Sequence, residues 1–322
     1  MDLEELILHY YLKVFNIILL IIFLFTFFYV ISILNKKINL VDNTFSIEKG
    51  ESFKSVLNKN TKDLNYIETL IINIYYKLYL FFDNKFIHFG QFNINNNISL
   101  NNLINIISKP SNVLNKLTIV EGWSKNDLNN EISKYFDDYY PIPYEDIIAD
   151  TYFIEINQDF QTFHKTLIKI KDNYFKKYKN DIKFKNFTDN DIMIIGSLIE
   201  KEGLDENDKR NISSVIQNRL KNKMKLQIDA TVIYSITDGK YNLNRKLLLS
   251  DLKVKHPFNT YIYKGLPPNP ISYVGKNTLD IIFQNHKTEF LFYFFDNSLN
   301  RHVFSINFED HKKKLNEYRS SK

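Results

Sequence analysis

The sequence predicts an α+β protein held behind one membrane-spanning helix, and three observations predict it. Val14 to Leu34 is an uncharged run of 21 residues whose polar members are Asn16, Thr26 and Ser32. From Thr44 onward, short extended stretches alternate with capped, apolar-periodic helices. At 322 residues the chain exceeds the ~100 to 200 residues of one domain, so two folded units plus a small appendage are expected.

The apolar run comes first. At about 1.5 Å per residue it matches a hydrocarbon core of about 30 Å, so residues 14–34 are read as a transmembrane helix behind a tail of residues 1–13. No small-residue cleavage site of the A-x-A kind follows it, which favours a retained anchor over a removed signal peptide. Lys13 lies on one side and Lys36 and Lys37 on the other, and this count alone slightly favours a cytoplasmic body.

Residues 44–119 read as a small mixed unit. It starts extended at Phe45 and Ile47, turns at Lys49-Gly50 and enters a helix from Ser52. A second helix, Tyr66 to Phe82, is apolar all round, which predicts burial. Phe86 to Ile94, containing Gly90, reads as a strand pair or one bulged strand. Ser99 then caps a helix carrying Leu100, Leu103, Ile104 and Ile107 that stops before Pro110.

A strand is expected at Leu117 to Val120, a turn at Glu121-Gly122, and helices from Ser124 and Asp159. The main second unit runs from Thr188 to the end. Composition narrows the chemistry: the net charge of +5 is modest and the lysines are scattered among acids, which argues against nucleic acid. With no cysteine there are no disulfides, thiolate metal sites or cysteine nucleophiles. The seven histidines form no H-E-x-x-H, and His302 and His311 read as surface or strand residues. The eight glycines form neither G-x-G-x-x-G nor a phosphate loop, so no metal, nucleotide or other cofactor is expected.

The segment that carries chemistry begins with the acidic cap cluster Asp189-Asn190-Asp191 and runs through Ile192 to Gly203. On a helical wheel at about 100° per residue, Ile192, Ile194, Ile195, Leu198 and Ile199 share one broad face, and Glu202 falls in its middle. Glu200 points elsewhere and can be solvated. Burial and the negative end of the helix dipole both disfavour the Glu202 anion, so its pKa should rise, as a proton donor to a glycosidic oxygen requires. On pattern alone the helix could instead fray at Lys201 and release Glu202 to water.

The order of motifs then points to a family. Ser197-Leu198-Ile199-Glu200-Lys201-Glu202, Asn218-Arg219-Leu220 and Leu226-Gln227-Ile228-Asp229-Ala230-Thr231-Val232-Ile233-Tyr234 are followed by Phe258-Asn259-Thr260-Tyr261 and Gly265-Leu266-Pro267-Pro268-Asn269-Pro270-Ile271. Leu291-Phe292-Tyr293-Phe294, with His302 and Phe304, closes the series, and Val120-Glu121-Gly122 precedes it. In order and spacing this resembles the MltG (YceG-like) endolytic murein transglycosylase family. The resemblance covers most of the chain after the span.

It implies an extracytoplasmic body on a single-pass anchor in the bacterial cytoplasmic membrane, opposite to the lysine count. It also implies a LysM-like α+β subdomain at 44–119, a YceG-like α+β catalytic domain at 120–322, and peptidoglycan glycan strands as substrate. Glu202, the second Glu of E-K-E, would protonate the oxygen between N-acetylmuramic acid and N-acetylglucosamine. It would then take the proton of the muramyl C6 hydroxyl, which attacks its own C1 and leaves a 1,6-anhydro end. Cleavage of nascent strands would terminate their elongation, beside peptidoglycan synthases (penicillin-binding proteins) as partners. Gly203 departs from the family, where a hydroxyl or other small side chain often follows the acid.

Gln227, Asp229, Thr231, Tyr234, Asn259 and Tyr261 are the candidates for sugar contacts. For Asp229 and Asn259, turn or cap formation is an equal alternative. The loop from Gly265 to Pro270 is expected to be a rigid wall. Two rival functions stay open: a hydrolase pairing Glu202 with Asp229 across about 5 to 9.5 Å, and a non-catalytic wall-binding scaffold. An otherwise unused carboxylate on an apolar stripe argues against the scaffold.

Overall fold

The computed structural model describes residues 3–42, 44–48, 50–83, 86–156, 158–178 and 187–320. They form two compact units, one of residues 1–115 with 154–157, the other of 116–153 with 158–322. β5 (Leu114–Thr118) pairs with β7 (Thr151–Glu155). With helices and short strands in both, the chain is mixed α+β, as the sequence predicts.

Unit one opens with α1 (Leu3–Asn35), 33 residues long. Its segment His9–Asn35 is, by length and composition, long and apolar enough to cross a membrane. The end of α1 is held in the unit, with Ile33 and Leu34 buried. Two small antiparallel sheets follow: β1 (Lys37–Ile38) pairs with β4 (Ile98–Ser99), and β2 (Thr44–Ile47) with β3 (Gly90–Asn93). Three helices pack on them, α2 (Phe53–Asn60), α3 (Tyr66–Asp83) and α4 (Leu100–Ile107). Ser52 and Ser99 cap α2 and α4 by accepting the N–H bonds of Ser55 and Asn102. Phe45, Leu57, Ile72, Phe92, Leu103 and Ile104 lie at its core.

Two expectations change here, and a third lies partly outside the described residues. Phe86 to Ile94 holds one strand, β3, which pairs with β2; Gly90 is needed because a Cβ there would sit 2.7 Å from that of Ser111. Of the turn at Lys49-Gly50, Lys49 lies outside the described residues, while Gly50 has a left-handed φ of +83°. The other change concerns α3, which is not buried all round. Ile72 is buried, yet Tyr66, Ile67, Leu70, Ile74, Leu78, Phe81 and Phe82 are exposed. A short unit has too little interior to cover both faces of an 18-residue helix.

Unit two is organised around α7 (Asp189–Glu202). It is packed by α8 (Glu206–Lys221), α9 (Asp229–Thr237), α10 (Lys276–Gln284), the strand β8 (Val274–Gly275) and a 3-10 turn at Tyr144–Asp146. The α7 cap is Thr188, which exchanges bonds with Asp191 in a capping box, so the acids at 189 and 191 occupy its first turn. Ile192 through Ile199 are all buried, so the apolar stripe wraps the whole helix. Gly196 lets β8 approach: a Cβ there would lie 2.6 Å from Val274 Cγ1.

Around this axis, α5 (Lys125–Ile132) and α6 (Phe160–Lys176) are capped by Ser124 and Asp159 as expected. β6 (Ile148–Ala149) pairs in parallel with β8. The hairpin of β9 (Phe292–Asp296) and β10 (Arg301–Ser305) is followed by α11 (Phe308–Ser320).

Candidate active site

The helix does not fray before its acid. The Gly203 N–H donates to the Ile199 carbonyl at 2.8 Å, which holds Glu202 in the last turn of α7, half-buried. Burial, first, and the nearby Asp229 charge, second, push its pKa from 4.5 up to about 7. Three groups pull the other way: the Tyr293 hydroxyl, the His302 ring and the backbone N–H of Ala230. Tyr293 Oη donates to Glu202 Oε2 at 3.2 Å.

The Ala230 N–H is available because no side chain caps α9. The N-terminus of that helix therefore faces the carboxylate, a favourable site for an anion. A group poised near neutral pH between burial and these donors can both give and take a proton.

Glu200 is a correction. It does not point to solvent: its side chain is 2% exposed, Lys209 Nζ lies 2.5 Å from its Oε2, and its Oε1 accepts the Gly275 N–H at 3.1 Å. The reason is that α7 is enclosed on every side, and on the side of Glu200 it meets Lys209 of α8 and Gly275 of β8. Gly203 fits this pair, because a Cβ there would fall 2.4 Å from Lys209 Cγ. Glu200 is thus committed to an ion pair and Glu202 is left free for chemistry.

The six predicted contact residues divide. Asp229 is the first residue of α9 and exposed; it makes no cap bond and instead accepts the Tyr261 hydroxyl at 2.6 Å. Tyr261 is half-buried, and burial and Asp229 raise its pKa, as does the charge of Glu202. Gln227, exposed beside them, holds a left-handed φ of +51°. Asp229, Tyr261 and Glu202 form one cluster, and the backbone of Gln227 runs beside it through its N–H to the Thr260 carbonyl.

Thr231, Asn259 and Tyr234 are placed differently. Thr231 is fully buried, its hydroxyl donating to the Ile228 carbonyl and lying 2.9 Å from Thr260 Oγ1. Asn259 is fully buried too, its amide donating to the carbonyls of Leu252 and Val254 and its oxygen accepting the Tyr261 N–H. In both, the polar atoms are engaged inside the fold and lock the loops around the cluster. Tyr234 packs its half-buried ring on Phe258 with centroids 4.6 Å apart, at the edge of the core.

Two residues that support the site were not among the predicted contacts. Arg219 is buried, with Nε donating to the Leu291 carbonyl at 2.6 Å and Nη1 to that of Leu226 at 2.6 Å. It thereby ties the segment before Asp229 to the segment before Tyr293. His302, on β10 and buried, meets Asp208 Oδ2 with Nδ1 at 2.8 Å, and its ring stands edge-on to Tyr293. Asp208 also accepts the Leu204 N–H, so this pair fixes the turn just after Glu202.

Ser197 Oγ accepts the Ile271 N–H at 3.0 Å, which docks the end of the Gly265 to Pro270 loop on α7. The Glu121-Gly122 turn joins it through Gly122 N–H to the Tyr273 carbonyl at 2.9 Å.

Comparison with known proteins adds four findings. A family model described as the YceG-like family matches residues 45–317. An endolytic murein transglycosylase of Bacillus subtilis is 36% identical over 158 residues, 49% of this chain and 42% of that protein. One from Streptococcus pneumoniae is 29% identical over 175 residues, 53% of this chain and 31% of that protein. The chain therefore spans less than half the length of these curated relatives. A crystal structure of a yceG-like protein from Listeria monocytogenes superposes with a TM-score of 0.54 at 22% identity, covering 84% of this chain and 98% of that one. It is evidence for the fold.

Proposed function

We propose, for a chain that belongs to the YceG-like family, that it is a lytic transglycosylase anchored by α1 and acting on peptidoglycan glycan strands. The observation that carries this reading is the state of Glu202: half-buried at the end of α7, raised to about 7, and facing donors that can stabilise its anion. Murein transglycosylase relatives among the similar proteins support the same substrate class.

Glu202 protonates the glycosidic oxygen between N-acetylmuramic acid and N-acetylglucosamine. The resulting carboxylate is held by Tyr293 and the Ala230 N–H, and accepts the proton of the muramyl C6 hydroxyl as that oxygen bonds to C1. Intramolecular attack profits from proximity and leaves a 1,6-anhydro end. Asp229, Tyr261 and Gln227 line the approach and contact the sugars. Asp229 serves as the charge that keeps Glu202 protonated rather than as a nucleophile.

The further parts of the reading rest on the sequence resemblance. The body at 120–322 is the catalytic domain and 44–119 a LysM-like subdomain, on the extracytoplasmic side of the cytoplasmic membrane. The cut is endolytic, falls in nascent strands and ends their elongation, beside glycan-polymerising synthases.

The test is mass spectrometry of muropeptides released from purified peptidoglycan by the detergent-solubilised full chain and by its Glu202→Gln variant. Anhydro ends from the parent that vanish in the variant are expected. Reducing ends would mean a hydrolase using Asp229, and binding without release would mean a scaffold.

A further inference from the structure

Among the described residues, the outward face of α3 has no partner in unit one. At about 100° per residue, Tyr66, Leu70, Phe81, Ile74, Ile67, Leu78 and Phe82 fall on one arc, and Lys77 is the only charge on it. Ile67 is 59%, Ile74 52% and Phe81 78% exposed, and Phe86, just beyond the helix, is exposed as well. The opposite arc is seated: Ile72 is fully buried, Tyr76 packs on Phe53 with centroids 4.1 Å apart, and Tyr79 Oη donates to Asn105. Seven large side chains along about 27 Å of helix make a patch on the order of several hundred Å², more than a surface in water ordinarily keeps bare.

Its place in the unit says what covers it. α3 packs on α1, and the first turn of α3 meets the last turn of α1: Lys36 Nζ, one residue past α1, lies 2.7 Å from Glu68 Oε1 and donates to the Asp63 carbonyl. Ile33 enters the core of the same unit, and Leu34 beside it is buried. The bare face therefore starts where the apolar surface of α1 ends. Its make-up also suits a lipid–water boundary: aromatic residues, which favour that boundary, stand at both ends, and the one cation can extend to headgroups. Lys54 adds a second cation at its rim, 5.0 Å from the Tyr66 ring centroid.

We propose that this face of α3 lies in the headgroup region of the bilayer crossed by α1, giving unit one a second, peripheral membrane contact that holds it against the surface. The inference rests on the reading of α1 as a membrane span.

The native chain has no cysteine, so single cysteines report one position each. Leu70→Cys, Ile74→Cys and Phe81→Cys, with Leu20→Cys in α1 and Asn95→Cys as a solvent reference, are spin-labelled in the full chain. They are then reconstituted in phosphatidylcholine/phosphatidylglycerol vesicles. The ratio of collisions with oxygen to collisions with a water-soluble nickel chelate is expected to be several-fold higher at all three α3 positions than at position 95. Solvent-like ratios on α3 with a lipid-buried position 20 overturn the proposal and leave the span intact. A solvent-like position 20 overturns both. Spin–spin broadening on α3 that grows with the protein-to-lipid ratio assigns the face to a second copy and also overturns it.

Discussion

Tyr293 directs its hydroxyl at Glu202, Oη to Oε2 3.2 Å, across 91 positions of sequence. This bond favours the anion and restrains the rise that burial imposes on the acid. In Tyr293→Phe the donor is gone, so the pKa should climb above about 7. The alkaline limb of the pH–rate profile is expected to move up by roughly half a unit to one unit, with the rate falling about ten-fold because the anion needed for the second proton transfer is less stable. An unmoved limb would show that the bond does not reach the working state.

Asp229→Asn acts in the opposite direction. The Asp229 charge is the second cause of the raised Glu202 pKa, so its removal should shift the alkaline limb down while the products remain anhydro ends. The Tyr261 hydroxyl keeps a neutral acceptor in place of a carboxylate. Complete loss of activity at every pH would assign Asp229 a direct role in bond cleavage.

Glu202→Gln should remove activity by about a hundred-fold or more and also stabilise the fold at high pH. The folded chain keeps the Glu202 proton to about pH 7, whereas the unfolded chain releases it near 4.5. Stability is therefore full below the lower value, falls as pH rises between the two, and stays lower above. Allowing for partial exposure, the cost at pH 8 is about 2 kcal/mol. Thermal melts in detergent should coincide at pH 4 and favour the variant at pH 8.

Glu200→Gln separates the two neighbouring glutamates. Glu200 is 2% exposed and paired with Lys209, so its neutral form leaves a largely buried ammonium without its counter-charge and destabilises by about 3 kcal/mol. The surviving folded enzyme should retain its pH profile. A profile that moves with Glu200 rather than Glu202 would reverse their roles.

Much of this was legible in the residues themselves. Caps at Ser52, Ser99, Ser124 and Asp159 can be read because capping is local chemistry. Glu202 can be placed because helical periodicity fixes which side chains share a face. Glu200 was misplaced by the same wheel, since periodicity tells direction and not what stands there; Lys209 and Gly275 come from other elements. Thr231 and Asn259 have the polar character of sugar-binding residues, and only the carbonyls and hydroxyls they satisfy reveal them as buried fasteners. An all-round apolar helix such as α3 has two solutions, protein interior or lipid, and sequence pattern does not choose between them. The His302–Asp208 pair joins residues 94 positions apart, beyond the reach of any local pattern.

The grip of Arg219 on the carbonyls of Leu226 and Leu291 bears on how such a chain can change length over generations. One planar group spans both strips of backbone, so the seven-residue step from 219 to 226 acts as a ruler. An insertion there would unhook the guanidinium and carry Asp229 out of step with Tyr293. The hairpin tip at Leu299 and Asn300 and the side chains of Tyr241 and Leu249 are exposed, and exposed loop tips of this kind tolerate added or lost residues more readily than the strip measured by Arg219.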